Sequence, residues 1–296
     1  MPFATADDGT MLYYADEGAG ETILFLHEYG GDPRSWDLQI DAFAKTNRCI
    51  TTASRGYAPS GIPDDPDAYS HEIVADDARA VLDHLGIDKA HVVGLSMGAY
   101  TGLMLALRHP GRVITLTAAS GGSGSHPEVN PDYRAESQRL ADAIQVASSF
   151  PADDFAGGPT RLQLKRKNLA EWERFRDELA DHNVTGAAHV MRQIVGARPS
   201  LYTFKDQLAA LSTPVLFMVG DEDEPVLDIN LWLKRTMPGA GLDVVPKSGH
   251  LLNLEEPAAF NLRIKQFHQL VAEGSWPLRD MSTVGFGGVA PAQEKP

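Results

Sequence analysis

Five residues, Gly94-Leu95-Ser96-Met97-Gly98, constrain the fold of this chain more than any other stretch. They join the end of KAHVVGL, an apolar run of strand length, to the start of MGAYTGLMLALRHP, whose apolar residues recur at helical spacing. A chain that leaves a buried strand and enters a helix across one serine must turn very sharply. Glycines two residues to either side of the serine are what that turn requires, because side chains there would collide. The serine itself is held in a strained conformation with its hydroxyl exposed. The helix that follows aims its first N–H groups and the positive end of its dipole at whatever reacts on that hydroxyl. Ser96 is therefore the predicted nucleophile, and the Met97 amide one predicted oxyanion donor. G-x-S-x-G alone is a common pattern; the strand–turn–helix setting gives it weight.

The rest of the chain supplies that setting. PFATADDGTMLYYADEGAG reads as an opening β-hairpin about a DDG turn. ETILFLH, RCITTAS, KAHVVGLS and RVITLTAAS read as strands, and SWDLQIDAFAKT, HEIVADDARAVLDHLGI and MGAYTGLMLALRHP as the helices between them. Strands alternating with helices predict an α/β fold with a mostly parallel twisted sheet flanked by helices. After GGSGSHPEVNP the rhythm turns wholly helical until TPVLFMVG, LDINLWLKRTM, GLDVVPKSGH and PAAFNLRIKQFHQLVAEG resume it. The expected organisation is a core domain of residues 1–124 and 211–275, a helical insertion at 125–210, and a Gly- and Pro-rich tail at 276–296 that predicts poor order. The one basic run, RLQLKRKNLAEWERFR, is mixed with acids and reads as a solvated helix face.

A serine hydroxyl needs a base, and the base an orienting acid. Downstream, PVLFMVG ends in D-E-D-E-P, where a carboxylate can face the same sheet edge as the serine, and SGHLLNLEEP places His250 on a loop after the next strand. With these residues the chain resembles the α/β-hydrolase family from Phe3 to about Gly274. The family commonly carries its acid in a G-x-x-D pattern, which here is Gly220 to Asp223. That implies Asp223, with Asp221 second and Glu222 and Glu224 as solvated neighbours. The family's other acid position falls on TAASGG, which has no carboxylate.

The resemblance also implies a second oxyanion donor after a His-Gly pair. This chain has His27-Glu28-Tyr29-Gly30-Gly31, so the Tyr29 amide is the expected donor, but Glu28 stands where glycine is usual. A carboxylate beside an oxyanion opposes catalysis unless it is turned away, protonated or paired. The preferred expectation is that Glu28, with His27, lies behind the site and binds backbone or an arginine such as Arg55; positioning water or an amine leaving group is the sharper alternative. The helical insertion resembles the family's cap, which excludes water and shapes the pocket. Phe150, Phe155, Trp172, Phe175, Met191 and Leu251 are candidates to line that pocket.

The elbow and G-H-L-L-N-L-E-E-P look closest to the small-carboxylesterase and enol-lactonase branch, which implies a serine hydrolase acting on a small ester or lactone. Ser96 excludes the carboxylate nucleophile of epoxide hydrolases and dehalogenases. Carbon–carbon (meta-cleavage product) hydrolases typically carry Trp after the histidine where Leu251 stands; that activity, and amide hydrolysis, stay open. So do a non-catalytic ligand-binding protein and a cofactor-free oxygenase of the same fold. No cofactor or metal is expected, and no glycine-rich dinucleotide loop occurs. A formal charge of −14 argues against a nucleic-acid partner. The N-terminus lacks signal-peptide features and no run reaches about 18 apolar residues, so a cytoplasmic protein with no membrane partner is expected. Cys49 reads as a buried small apolar residue, and a homodimer is left open.

Overall fold

The computed structural model describes residues 2–147 and 149–284. The predicted hairpin is present, with β1 (Phe3–Thr5) antiparallel to β2 (Met11–Gly18). The alternation then runs through β3 (Glu21–Leu26), α1 (Asp37–Phe43), β4 (Asn47–Thr52), α2 (His71–His84), β5 (Ala90–Leu95), α3 (Met97–Arg108) and β6 (Val113–Ala119). Among the described residues six α-helices follow without a strand: α4 (Asn130–Val146), α5 (Ala152–Ala156), α6 (Leu162–Lys167), α7 (Leu169–Ala180), α8 (Val184–His189) and α9 (Lys205–Ala210). The chain returns to the sheet with β7 (Val215–Gly220), α10 (Glu224–Thr236) and β8 (Ala240–Val245), and closes with α11 (Leu252–Glu255) and α12 (Pro257–Ala272).

The eight strands form one sheet in the order β1-β2-β4-β3-β5-β6-β7-β8, parallel from β4 onward. Successive side chains of a strand point to opposite faces, and here both faces are covered. Ile23 and Phe25 pack under α1 and α12 with Trp36, Phe43, Phe260 and Phe267, whereas Leu24 and Leu26 pack under α2, α3 and α10 with Val81, Leu103 and Ile229. Burial on both faces explains why these strands read as unbroken apolar runs. Cys49, on β4, is buried as expected, and burial pushes its thiol up to about 12.

The strand order decides where a site can form. From β3 the chain goes outward to β4 and then returns across β3 to add β5 on the other side. The loops leaving the carboxyl ends of β3 and β5 therefore diverge from adjacent strands, and a crevice opens between them. Leu26 pairs with Gly94, so the His27–Gly31 loop and the Ser96 turn begin side by side. At the start of the expected tail Trp276 packs against the core: its indole donates to the Gly239 carbonyl at 2.8 Å and its ring centroid lies 4.6 Å from that of Phe267, whereas residues 277–280 are exposed. Residues 285–296 of that tail lie outside the described residues. No helix among the described residues is long and apolar enough to cross a membrane.

Candidate active site

Ser96 has φ 53° and ψ −105°, a conformation that L-residues rarely adopt. It is held from both sides: its N–H donates to the Ala119 carbonyl at 2.8 Å, and its carbonyl accepts from Tyr100 N at 3.1 Å. The flanking glycines are where the turn is tightest. A Cβ on Gly94 would lie 2.3 Å from the Gly98 carbonyl oxygen, and one on Gly98 only 1.9 Å from that of Leu26. Ser96 heads α3 without capping it, so its hydroxyl is not spent on the helix's first amides.

The loop after β3 is fixed just as closely. His27 Nε2 accepts from Ser54 N at 3.0 Å, so the proton sits on Nδ1, which donates to the Glu28 carbonyl at 2.7 Å. Burial holds this imidazole below its ordinary pKa and therefore neutral. The same carbonyl accepts from Gly31 N at 3.1 Å, and the Tyr29 carbonyl accepts from the Tyr57 hydroxyl at 2.7 Å. In a trans peptide the C=O and N–H point in opposite directions. Pinning the Glu28 carbonyl inward thus turns the Tyr29 N–H outward, and neither it nor the Met97 N–H has a protein acceptor among the described residues.

Asp223 and His250 come together from the loops after β7 and β8. His250 Nδ1 lies 2.7 Å from Asp223 Oδ2, with both side chains buried. Burial alone would lower the imidazole pKa, but the charge of Asp223 and its hydrogen bond more than offset this and raise it. Glu255, buried at the end of α11, clamps the loop on both sides of the histidine: its carboxylate accepts from Gly249 N at 2.7 Å and Leu251 N at 3.1 Å. Asp221 is not the histidine's partner; it accepts from Ser248 N at 3.2 Å. Glu222 pairs with Gln163 and Lys247 at the surface, and Glu224 opens α10.

Glu28 departs from expectation. Its side chain is only 2 % exposed and its arginine partner is Arg161, whose Nη2 lies 2.9 Å from Oε2. Arg55 is committed elsewhere, bonded to Asp77 at 2.6 Å, to Asp8 at 2.7 Å and to the Ala68 carbonyl. Arg161 opens the basic run read as a solvated face, and that reading fails for this residue. A single 3₁₀ turn, Pro159–Arg161, directs it inward, where its guanidinium lies 4.1 Å from the Phe155 ring centroid. The Glu28 carboxylate faces His250 as well, with Oε2 3.9 Å from Nε2, while Oε1 has no partner among the described residues.

These groups share one cavity of about 190 Å³, lined by Ser96, His250, Asp223, Glu28, Tyr29 and Arg161. The six-helix block supplies its roof, and of the pocket candidates Phe155 and Met191 line it. Phe150, Trp172, Phe175 and Leu251 do not. Phe150, Trp172 and Phe175 are buried within the helical block, Trp172 with its indole N–H on the Ala156 carbonyl at 2.8 Å, because an apolar residue in a thin helical layer gains as much by packing between helices as by facing a pocket; Leu251 is buried beneath the His250 loop. Tyr133, Val195 and Thr160, which the sequence did not single out, are also part of the wall. Met191 and Val195 sit in a π-helical stretch, Val190–Gly196, that no residue pattern announces.

A model of the family described as alpha/beta hydrolase fold matches residues 21–257. The 3-oxoadipate enol-lactonase 1 of Acinetobacter baylyi is 27% identical over 240 residues, spanning 80% of this chain and 85% of its own length. A 2-hydroxy-6-oxononadienedioate/2-hydroxy-6-oxononatrienedioate hydrolase of Burkholderia vietnamiensis is 29% identical, over 88% of this chain and 92% of its own. A thermophilic esterase of Thermogutta terrifontis superimposes with a TM-score of 0.79 at 25% identity, covering 91% of this chain and 98% of the esterase.

Proposed function

We propose, from the premise that this chain belongs to the α/β-hydrolase fold family, that it is a serine hydrolase cleaving small carboxylic esters or lactones through an acyl-enzyme on Ser96. One observation carries the reading: the strained Ser96 turn and the 2.7 Å His250–Asp223 pair line the same small cavity. In the cycle, His250 Nε2 takes the Ser96 proton as Oγ attacks the carbonyl carbon, and the Tyr29 and Met97 amides receive the oxyanion. His250 then protonates the leaving oxygen, and water resolves the acyl-enzyme by the reverse steps. Asp223 holds the imidazole tautomer and stabilises its cation. The cavity, with Phe155, Met191 and Val195 on its wall, suits a compact apolar acyl group. Arg161 is already engaged by Glu28, so a neutral ester is preferred to an acid-bearing one.

The test is covalent labelling with a fluorophosphonate probe alongside turnover of p-nitrophenyl acetate, with Ser96→Ala as control. Labelling and turnover that both vanish in the variant support the reading. A wild-type chain that neither labels nor turns over the ester defeats it in favour of a ligand-binding role. Screening short esters against lactones, aryl amides and vinylogous diketones then identifies the bond.

A further inference from the structure

A carboxylate where the resemblance leads one to expect glycine is the least explained feature of the site, and its surroundings give it a task. Glu28 is buried in the wall of the cavity that holds Ser96 and His250. Its Oε2 accepts one bond, from Arg161 at 2.9 Å, and lies 3.9 Å from His250 Nε2, the nitrogen that exchanges protons with the reacting groups. That separation admits a single water between the two acceptors: with hydrogen bonds of about 2.8 Å to each, the angle at the water is about 90°, within reach of two somewhat bent hydrogen bonds. Arg161 answers the objection to an anion beside an oxyanion, since the pair together carries no net charge.

We propose that Glu28 is an additional catalytic residue that orients the hydrolytic water during deacylation. The proposal rests on the serine-hydrolase reading above. With the acyl group on Ser96 Oγ, the water donates one O–H to His250 Nε2 and the other to Glu28 Oε2, which leaves a lone pair to face the acyl carbon. As the new C–O bond forms, the first proton passes to Nε2 and the second stays on the oxygen, still donated to Glu28. The tetrahedral intermediate then breaks its bond to Oγ and the imidazolium returns its proton to Oγ, releasing the carboxylic acid and free serine. Glu28 is a carboxylate throughout; it accepts a hydrogen bond and no proton. The leaving group of the first half-reaction has no need of this residue, so its removal falls on the second half.

The experiment compares wild type, Glu28→Gln, Glu28→Gln/Arg161→Gln and Ser96→Ala on p-nitrophenyl acetate, measuring kcat and, by intact-protein mass, the fraction of enzyme held as acyl-enzyme during turnover. The double variant removes both charges and so keeps the test valid if the single variant, with Arg161 left unpaired and only 11% exposed, does not fold. The expected result is a fall in kcat of about tenfold to a hundredfold together with acyl-enzyme accumulation above the wild-type fraction. A fall in kcat without accumulation assigns Glu28 a purely structural role and overturns the proposal, as does an unchanged kcat. Turnover persisting in Ser96→Ala instead defeats the serine-hydrolase reading itself, which separates the two failures.

Discussion

Replacing Gly98 by alanine probes how the two halves of the proposed oxyanion site are held together. The added Cβ would lie 1.9 Å from the Leu26 carbonyl oxygen, 2.5 Å from its carbon and 2.8 Å from the His27 oxygen. All are backbone atoms, so no side chain can swing aside. Clearing them to the 3.0 Å below which Cβ contacts essentially never occur requires the start of α3 to move by about 1 Å from the end of β3. Those are the segments that carry the Met97 and Tyr29 amides. An oxyanion bond of about 2.9 Å stretched by that amount is largely lost, and losing one such donor costs about 10²–10³ in kcat. The same overpacking costs about 1–3 kcal/mol of stability, which a domain stable by about 5–15 kcal/mol survives folded. The assay is kcat on p-nitrophenyl acetate, normalised to the folded fraction from circular dichroism. Gly111→Ala serves as control: nothing lies within 4 Å of its Cβ, although its φ of +94° imposes strain. A folded Gly98→Ala enzyme keeping more than about a third of wild-type kcat would refute the coupling between these segments.

Three further outcomes follow from the same geometry. Asp223→Asn should lower kcat by about 10³–10⁴ while leaving the melting temperature nearly unchanged, since only Oδ2 is engaged and an amide keeps the shape; activity within tenfold of wild type would exclude Asp223 as the orienting acid. His250 must be neutral to act as base, and its pKa is raised above 6.5, so kcat/KM should fall with decreasing pH along a limb centred above 6.5. The Arg161 charge lowers that pKa, so Arg161→Gln should move the limb to higher pH, and a shift to lower pH would contradict the assignment. His268, stacked 3.9 Å from His91, has its pKa lowered to about 3, first by burial and then by that neighbour. Between about 3 and 6.5 the unfolded chain binds a proton the folded chain does not. Stability should therefore decline as pH drops below 6.5, with His268 contributing up to about 1.4 kcal/mol per unit. His268→Phe should flatten the decline in urea melts at pH 7.5 and pH 5; an identical slope would count against it.

What the sequence discloses here is what short-range chemistry determines. Gly94 and Gly98 flank a turn that excludes Cβ atoms, and that requirement is written in five consecutive residues. Asp223 and His250 each follow a strand whose apolar run is visible, so their arrival at one edge of the sheet follows from a parallel arrangement. Arg161 is different. It meets Glu28 across 133 positions in the chain, and nothing local separates it from Lys165 and Arg166. The Pro159–Arg161 turn and the stacking of the Arg161 guanidinium on Phe155 bring it inward. The pocket aromatics were obscure for a related reason: Phe155 and Phe175 are equally apolar, and which one faces the cavity depends on how α5 and α7 lie together. Glu28 was conspicuous in the sequence as an anomaly, but its neighbours were not.

The roof of the cavity is sewn to the histidine loop. The Thr160 carbonyl accepts from His250 N at 2.8 Å, Lys167 donates to Ser248 Oγ at 2.9 Å and pairs with Glu256 at 2.6 Å, and Arg161 closes on Glu28. The helical block over the cavity is thus tied directly to the loop that carries His250. A chimera that imports residues 125–210 from another member of the family would carry away a backbone acceptor and a counter-ion that this chain's own chemistry leans on. Variation confined to the cavity-facing positions of the Val190–Gly196 stretch leaves those stitches intact, whereas a change at Phe155, on which the Arg161 guanidinium stacks at 4.1 Å, does not.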